Sequence, residues 1–374
     1  MESGKVLKPD EDPASPYFLT RAERWWRNRQ PMLQTRGYML RPRFRPGWKP
    51  SWIDANDYPG GHEDGVLKRG KIDHIDATRM SDGKLVHIKA LVPFPTTGKE
   101  NDEELDVALF FNSEPLRSDP RNHCVPVLDW WRVPEEKTSF IVMPLLRVYN
   151  EPEFLTVGEA VDFFGQIMEG LVFMHENHVA HRDCCSVNVM MDPTNMYPKS
   201  YHPAETDMNR DLRGRAPHTT RTDSAPRYYL IDFGLSDRFD PQNGPPRSVK
   251  TQGADRSAPE LNHSPLQLYD PFPTDVYYFG NLVRGDFLKR YRNLGFMDTL
   301  VAAMTMDDPQ VRPTIHEVFT QFKTLVGSLS RTQLRRRLVR RDESTAAGVW
   351  RTGKHVLRTG RWMACRLPAV PTKT

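Results

Sequence analysis

The fold of this chain is decided by the stretch His181-Arg182-Asp183-Cys184-Cys185-Ser186-Val187-Asn188 and, further on, by Ile231-Asp232-Phe233-Gly234. Asn188 follows Asp183 by five residues, and Asp232 ends a later apolar run that is typical of a buried β-strand. Carboxylate and amide oxygens are the ligands that Mg²⁺ prefers in proteins. The spacing therefore predicts a polar site in which Asn188 and Asp232 hold a metal ion beside the carboxylate of Asp183.

Composition indicates a large globular protein of 374 residues, 38% of them hydrophobic. The four cysteines do not form the framework of a small secreted domain, and no charged-then-apolar leader opens the chain. An intracellular protein, cytoplasmic and/or nuclear, is therefore expected. No run of 18 apolar residues occurs, so no transmembrane segment is expected. The net charge of +4 hides a strongly basic C-terminal tail from residue 331 onward.

The first part of the chain predicts a helix and a hairpin after a disordered lead-in over residues 1–16. Thr20 and Glu23 form a capping-box pattern at the start of a short amphipathic helix over 17–26. A first strand is expected within residues 37–52. Apolar residues alternate on both sides of Ser81-Asp82-Gly83, which predicts a hairpin over 75–91.

The middle and end of the chain predict a buried strand and two helices. The strand is the apolar run from Ser139 to Met143. Thr156 and Glu159 suggest a capping box before a long helix over 157–177, whose apolar residues repeat on two sides. Thr314 and Glu317 predict another capped helix.

Together, these motifs resemble those of the protein kinases. The resemblance is also carried by Val86-His87-Ile88-Lys89, by Ala258-Pro259-Glu260 and by Asp275-Val-Tyr-Tyr-Phe-Gly280. It implies an α+β fold with two lobes, a small β-rich N-lobe and a larger, mainly α-helical C-lobe. Residues 17–325, with details such as Met196-Tyr197-Pro198, also resemble a group of fungal kinase-domain proteins of unassigned function.

The same resemblance implies a division of the chain into segments. These are an N-terminal extension over 1–36, an N-lobe over 37–146, a C-lobe over 147–327 with an insertion over 193–227, and a basic tail over 328–374.

The resemblance further implies roles for individual residues in binding ATP and Mg²⁺. Lys89 would pair with the α and β phosphates, and its partner would be Glu104, with Glu103 as the alternative. Asn188 and Asp232 would bind Mg²⁺, and Asp183 would orient the attacking hydroxyl group. The residues at the adenine would be His87, the gatekeeper Met143 and the hinge residue Leu145.

Two ionic arrangements are also implied. Arg312 would form a buried ion pair with Glu260, 52 positions earlier in the chain. Arg182 would be an unpaired cation until an anion arrives, and phosphate on Ser248 or Thr251 could supply it.

Four departures from the kinase pattern leave the activity open. No Gly-x-Gly-x-x-Gly precedes Lys89, and His87 replaces the small Ala that roofs the adenine. Cys185 replaces the catalytic-loop Lys, and Ala254 replaces the Thr that bonds to it. Two functions are therefore considered. The first is an ATP- and Mg²⁺-dependent protein kinase that transfers the γ-phosphate to a protein hydroxyl, with Ser/Thr expected. The second is a pseudokinase scaffold.

The expected partners are a protein substrate or a signalling partner. The core is not expected to bind nucleic acid stably. The polar, Pro-bearing insertion over 193–227 is either a solvated loop or a docking arm. The tail is expected to be a mobile, solvated segment. Its cations and tryptophans could alternatively contact acidic partners, including membrane surfaces.

Overall fold

The computed structural model describes residues 8–65, 73–93, 102–250, 253–262 and 268–371. Within them the chain is a mixed α+β protein with an antiparallel sheet and nine α-helices. Two compact units are formed. The first comprises residues 1–102, 126–145 and 197–218, and the second comprises 103–125, 146–196 and 219–374. The predicted α+β class is confirmed, and the two-lobed arrangement stays a prediction.

The first unit is built on a five-stranded antiparallel sheet. Its strands are β1 (Tyr38–Met39), β2 (His74–Arg79), β3 (Leu85–Leu91), β4 (Asp129–Val133) and β5 (Thr138–Pro144). They lie in the order β1-β2-β3-β5-β4. The predicted hairpin is confirmed as β2 and β3, and the predicted buried strand is confirmed as β5.

One helix packs on this sheet. Helix α1 (Arg21–Thr35) begins at Thr20, where the predicted capping box with Glu23 is formed. The rings of Trp25 and Trp26 lie 6.1 and 6.2 Å from that of Phe140. The helix is longer than the sequence predicts because Gln30 and Leu33, one and two turns after Trp26, are buried on the same face.

One expectation for the start of the chain is wrong, and another is confirmed over a shorter range. Residues 8–16 are not a disordered lead-in: they form turns, and the carboxylate of Asp10 accepts a hydrogen bond from Arg27 at 2.8 Å. The strand expected within 37–52 is limited to β1. Prolines at 42, 46 and 50 remove the backbone donors that a longer strand would need, and the short helix α2 (Ser51–Asp54) follows.

The second unit contains most of the helices. They are α3 (Asp102–Phe111), α4 (Val157–Glu176), α5 (Phe272–Val283), α6 (Asp298–Met304), α7 (Ile315–Gly327), α8 (Arg331–Arg335) and α9 (Thr345–Ala364). Helices α4 and α7 confirm the two helices predicted in this part of the chain. Thr314 and Glu317 form their capping box at the start of α7.

Helix α4 differs from the prediction at its first turn. Thr156 accepts a hydrogen bond from the Glu159 amide at 3.0 Å, as a helix cap should. The Glu159 side chain, however, does not return to the amide of Thr156. Its two oxygens accept hydrogen bonds from the Leu155 amide at 2.7 Å and the Thr222 hydroxyl at 2.8 Å. The cap is therefore one-sided, because this buried carboxylate is used to hold the insertion.

Short strands of the second unit place the residues of the opening motifs. A three-stranded sheet has the order β6 (Arg147–Val148), β8 (Val189–Met191) and β9 (Tyr228–Leu230). A two-stranded sheet pairs β7 (Val179–Ala180) with β10 (Asp237–Arg238). Residues 181–188 therefore connect β7 to β8, and residues 231–236 connect β9 to β10.

The insertion over 193–227 is packed against the protein rather than solvated. Residues 197–218 belong to the first unit, where the His202 ring lies 3.4 Å from the Glu63 carboxylate. Residues 219–227 belong to the second unit. There the buried guanidinium of Arg221 donates to the backbone carbonyls of Tyr149 and Pro152 and to the hydroxyl of Tyr228. Composition alone favoured a solvated loop because most of its residues are polar, yet several of those polar groups are satisfied internally.

The basic tail is likewise ordered. Strand-like hydrogen bonds join it to the start of α4: the Leu338 amide donates to the Leu155 carbonyl and the Val157 amide donates to the Arg336 carbonyl, both at 3.0 Å. In α9, Trp362 is fully buried, and its indole donates to Asp223 of the insertion at 3.1 Å. No helix of the described residues is long and apolar enough to cross a membrane.

Two tryptophans of α9 give a matched test of this packing. Trp362→Ala should lower the free energy of unfolding by about 3 to 5 kcal/mol, because a buried indole leaves a cavity. Trp350→Ala, at a 61% exposed position of the same helix, should change it by less than about 0.5 kcal/mol. Urea unfolding of the full chain measures both. Equal effects of the two substitutions would show that the tail is not docked.

Candidate active site

The turn that precedes Asp183 is held by one buried carboxylate. Asp275, on α5, accepts hydrogen bonds from the amides of His181 at 2.7 Å and Arg182 at 2.6 Å. The ring of His175 also contacts it, with Nε2 3.0 Å away. Arg182 has a φ of +65°, a left-handed conformation that costs energy for a residue with a side chain. The charge-assisted hydrogen bonds from this backbone to Asp275 offset that cost.

The ring of His181 joins the two opening motifs. Its Nε2 lies 3.1 Å from the Ile231 carbonyl, and its Nδ1 accepts a hydrogen bond from the Asp183 amide at 3.3 Å. These partners assign the neutral tautomer with the proton on Nε2. The ring centroid lies 5.7 Å from that of Phe233. His181 is therefore a structural residue that holds the two motifs together.

The carboxylate of Asp183 is buried and oriented by three donors. Asn188 Nδ2 donates to Oδ2 at 2.8 Å and also to the Asp183 backbone carbonyl at 2.9 Å. The Ala254 amide donates to Oδ1 at 2.9 Å, and the Cys185 thiol lies 3.6 Å from the same oxygen. Asp183 and Asn188 are thus brought together as the sequence predicts.

Gly253 allows the close approach of the Ala254 amide to Asp183. A Cβ atom on Gly253 would lie 2.5 Å from Asp183 Oδ1 and 3.0 Å from its Cγ. Only a residue without a side chain fits between this backbone and the carboxylate.

The two other predicted carboxylates of this unit, Asp232 and Glu104, flank one glycine. A Cβ on Gly234 would lie 3.1 Å from Glu104 Oε2 and 3.5 Å from Asp232 Oδ1. Asp232 has a φ of +65°, the second left-handed residue of the site. The amide nitrogen of Asn188 is engaged by Asp183, so its Oδ1 is the atom suited to bind a cation. The oxygen donors of Asn188 and Asp232 fit Mg²⁺ chemically.

Two of the residues that depart from the kinase pattern, Cys185 and Ala254, lie beside the carboxylate of Asp183. Burial, followed by the negative charge of Asp183, raises the pKa of Cys185 to about 12, so the thiol is neutral at pH 7. A thiol carries no positive charge in either protonation state, so Cys185 does not supply the charge of the Lys that it replaces. Ala254 lacks the hydroxyl of the expected Thr, but its backbone amide donates to Asp183 instead.

The expectation that Arg182 is unpaired is wrong. Its guanidinium donates to the Asp237 carboxylate at 2.6 Å and to the Val249 carbonyl at 2.5 Å. Ser248 is buried, and its hydroxyl also donates to Asp237. A phosphate on Ser248 would place two further negative charges beside that carboxylate. Thr251, the other candidate for phosphorylation, lies outside the described residues.

The ion pair between Glu260 and Arg312 is confirmed. Arg312 donates to both carboxylate oxygens, at 2.7 and 2.8 Å, and Thr274 donates to one of them at 2.6 Å. Burial acts to raise the pKa of Glu260, but the hydrogen bonds from Arg312 and Thr274 outweigh it, so the pKa lies below its ordinary value. Both side chains are almost completely buried.

The predicted nucleotide-binding residues Lys89, His87, Met143 and Leu145 all belong to the first unit. Lys89 is buried on β3, where its backbone faces Ile141 of β5. On the same strand, His87 Nε2 lies 3.0 Å from the ring Nδ1 of His74. Met143 and Leu145 are half-buried at the end of β5 and just beyond it. Their proposed roles toward a nucleotide stay predictions.

Sequence reasoning missed several residues that build the site. The acceptor role of Asp275 could have been found from its place in a kinase-like motif. Asp286, which accepts hydrogen bonds from Ser186 at 2.6 Å and from Tyr149, lies in no motif. Asp237 and Gly253 likewise carry no local signal, because their partners are distant in the sequence.

No protein-family model matches the chain. It is 28% identical over 210 residues to the dual specificity protein kinase zakA of Dictyostelium discoideum, a match that covers 55% of this chain and 22% of zakA. It is also 24% identical over 195 residues to a protein of Acanthamoeba polyphaga mimivirus that is named serine/threonine-protein kinase R436. That match covers 45% of this chain and 58% of R436. The chain is thus distantly similar to protein kinases and spans less than two thirds of either relative.

Removal of Arg312 should show how much the buried ion pair stabilises the protein. Arg312→Met leaves Glu260 buried without its partner and should lower the free energy of unfolding by about 3 to 5 kcal/mol at pH 7. The lowered pKa of Glu260 means that its contribution is present above the ordinary value of 4.5 and is lost as the pH falls through the folded value. The difference between wild type and variant should therefore shrink from pH 7 to pH 3.

The control for this measurement is Arg340→Met, which breaks two more exposed ion pairs, with Asp342 and with Glu153. It should cost no more than about 1 kcal/mol at either pH. A loss in Arg312→Met that is small or independent of pH would contradict the role assigned to the pair.

Substitution of Gly253 tests the close contact at Asp183. Gly253→Ala should lower the free energy of unfolding by about 1 to 3 kcal/mol because the new methyl group overlaps the carboxylate. Faster hydrogen exchange at the Ala254 amide should accompany it. Gly285→Ala is the control, since a Cβ there meets no atom within 4 Å. Unchanged exchange at Ala254 in the first variant would refute the contact.

Proposed function

We propose that this protein is an ATP- and Mg²⁺-dependent protein kinase that transfers the γ-phosphate to a hydroxyl group of a protein, with serine or threonine as the expected acceptor. Asp183 is the residue that orients the attacking hydroxyl. The proposal rests on one observation above all, which is the buried carboxylate of Asp183 held between the Asn188 side chain and the Ala254 amide at 2.8 and 2.9 Å.

This arrangement suits an acceptor of a hydroxyl proton. Both oxygens of Asp183 are fixed by hydrogen bonds, so the carboxylate does not need to reorganise when a hydroxyl group approaches. The turn before it is fixed by Asp275 and the residues after it by Asn188. Proton abstraction by a group positioned in this way is a common contribution to phosphoryl transfer.

The residues present also fit a magnesium ion. Asn188 Oδ1 and the carboxylate of Asp232 are the ligands that we assign to it. Bound there, Mg²⁺ would neutralise negative charge on the nucleotide phosphates. In the same proposal Lys89 contacts the α and β phosphates and Glu104 supports it. His87, Met143 and Leu145 contact the adenine.

A pseudokinase scaffold is the second candidate, and one observation favours it. The neutral thiol of Cys185 lies 3.6 Å from Asp183 Oδ1, where a cation would be expected to stabilise the transferred phosphate. Each contact of about 1.4 kcal/mol that is lost from the transition state lowers the rate about tenfold. The departures could therefore give either a slow enzyme or a protein that binds nucleotide without transfer.

Asp183→Asn separates the two candidates. For an enzyme, the variant should lower the rate of phosphate transfer from Mg²⁺·ATP to a peptide array by about 100-fold to 10,000-fold, because the proton acceptor is lost. Binding of Mg²⁺·ATP, measured by thermal shift, should remain. Asp298→Asn, an isosteric change at an exposed position of α6, should leave the transfer rate unchanged.

Nucleotide binding without transfer in the wild type would favour the scaffold. Transfer that persists in Asp183→Asn would contradict the role of this residue. If the wild type neither binds nor hydrolyses ATP with any divalent cation, the kinase proposal fails.

A further inference from the structure

Helix α9 exposes large apolar side chains that no other described part of the protein covers. It is attached to the second unit by one face, where Trp362 is buried. Five apolar side chains lie more than 60% exposed on the same helix: Val349, Trp350, Val356, Leu357 and Met363. Single exposed apolar residues are ordinary on a protein surface. A cluster of them on one helix indicates a surface that contacts a partner protein or a membrane.

These five side chains share one side of the helix. At about 100° per residue, their positions fall within an arc of about 140°. The other positions inside that arc are small residues, Ala346, Gly353, Gly360 and Ala364, and Thr345 lies at its edge, at the same angle as Met363. The arc therefore holds no charged or large polar group. The buried Trp362 lies outside it, so the arc faces away from the attachment.

Cations border this apolar arc on one side. Arg351, Lys354, Arg358 and Arg361 follow one another around the helix between the arc and the buried face. Arg361 donates to the Asp223 carboxylate at 2.5 Å and Arg351 lies 3.5 Å from that of Glu343, so Lys354 and Arg358 are the cations that we assign to a ligand. No Asp or Glu occurs from residue 344 to 371. The Lys354 ammonium lies 3.6 Å from the centre of the Trp350 ring, so a cation and the largest apolar group of the arc are neighbours.

A groove with further arginines lies on the other side of the arc. It has a volume of about 1130 Å³ and is bordered by Val356 and Met363 of the arc. Arg331, Arg335 and Arg366 contribute to its wall. The Nη1 atom of Arg335 is buried with no hydrogen-bond partner among the described residues. Positive charge thus flanks the apolar arc on both sides.

We propose that α9 binds the surface of a membrane rich in anionic lipids, lying parallel to it with the apolar arc among the lipid chains. The flanking cations would then meet the lipid phosphates, an arrangement typical of interfacial amphipathic helices. A nucleic acid would be attracted by the same cations, but it offers nothing to cover Val349, Val356, Leu357 and Met363. The apolar arc therefore favours the membrane.

The full chain allows a direct measurement. Cys365, at the end of α9, is exposed, whereas Cys124, Cys184 and Cys185 are buried, so a thiol-reactive fluorophore should label Cys365 selectively. The labelled protein is titrated with phosphatidylcholine vesicles and with vesicles that also contain phosphatidylserine. Binding and a blue shift are expected with the anionic vesicles and should weaken as salt is raised.

Variants at exposed positions, together with one at the half-buried Arg358, test each part of the surface. Leu357→Glu should weaken vesicle binding at least about tenfold, because a buried Leu contributes about 1.5 to 3 kcal/mol. Lys354→Gln with Arg358→Gln should weaken it about 30-fold, since each cation near an anionic surface contributes about 1 kcal/mol. Val311→Glu adds the same charge at an exposed position outside α9 and should bind as the wild type does.

The outcomes are distinct. Equal loss in Leu357→Glu and Val311→Glu would show that only net charge matters and would overturn the proposal. The proposal would also be overturned if the protein did not bind anionic vesicles but bound a DNA duplex or an RNA strand tightly, and if Leu357→Glu did not change that binding. Neither result depends on whether the protein transfers phosphate.

Discussion

The candidate site depends on the hydrogen bonds that the buried Asp275 carboxylate accepts from two consecutive amides. His181 and Arg182 donate to it at 2.7 and 2.6 Å, which holds Arg182 in a left-handed conformation. A buried carboxylate is stable only when such donors compensate for its lost hydration. The direction in which Asp183 leaves this turn, and therefore its contacts with Asn188 and Ala254, follows from that constraint.

Much of the fold could be predicted because its signals are local or chemically demanding. The capping boxes at Thr20 and Thr314 each join residues only three positions apart, so the sequence displays them directly. The hairpin of β2 and β3 surrounds a turn with a glycine at positive φ. The pair of Glu260 and Arg312 was predictable for another reason: the resemblance to kinase motifs implied it, and neither charge is stable when buried alone.

The remaining features could not be predicted because they depend on contacts between distant parts of the chain. Arg182 meets Asp237 and Val249, and neither partner belongs to a motif. The sequence shows that Ala254 lacks the hydroxyl of the expected Thr. It does not show that the backbone amide of Ala254 donates to Asp183 in place of that hydroxyl. Composition predicts a solvated insertion and a solvated tail because many of their residues are polar. In the structure, polar groups such as the Arg221 guanidinium are buried and donate to backbone carbonyls.

The hydrogen bond between Trp362 and Asp223 joins the tail to the insertion. Asp223 lies in the insertion and Trp362 near the end of the chain, and both fall outside the elements that a kinase shares with its relatives. Backbone hydrogen bonds also tie Leu338 to Leu155, at the entrance of α4. The kinase-like motifs therefore cover less of the chain than the contacts that hold the second unit together. The insertion and the tail are thus joined at Asp223, and loss of the insertion would leave the buried indole of Trp362 without this hydrogen-bond partner.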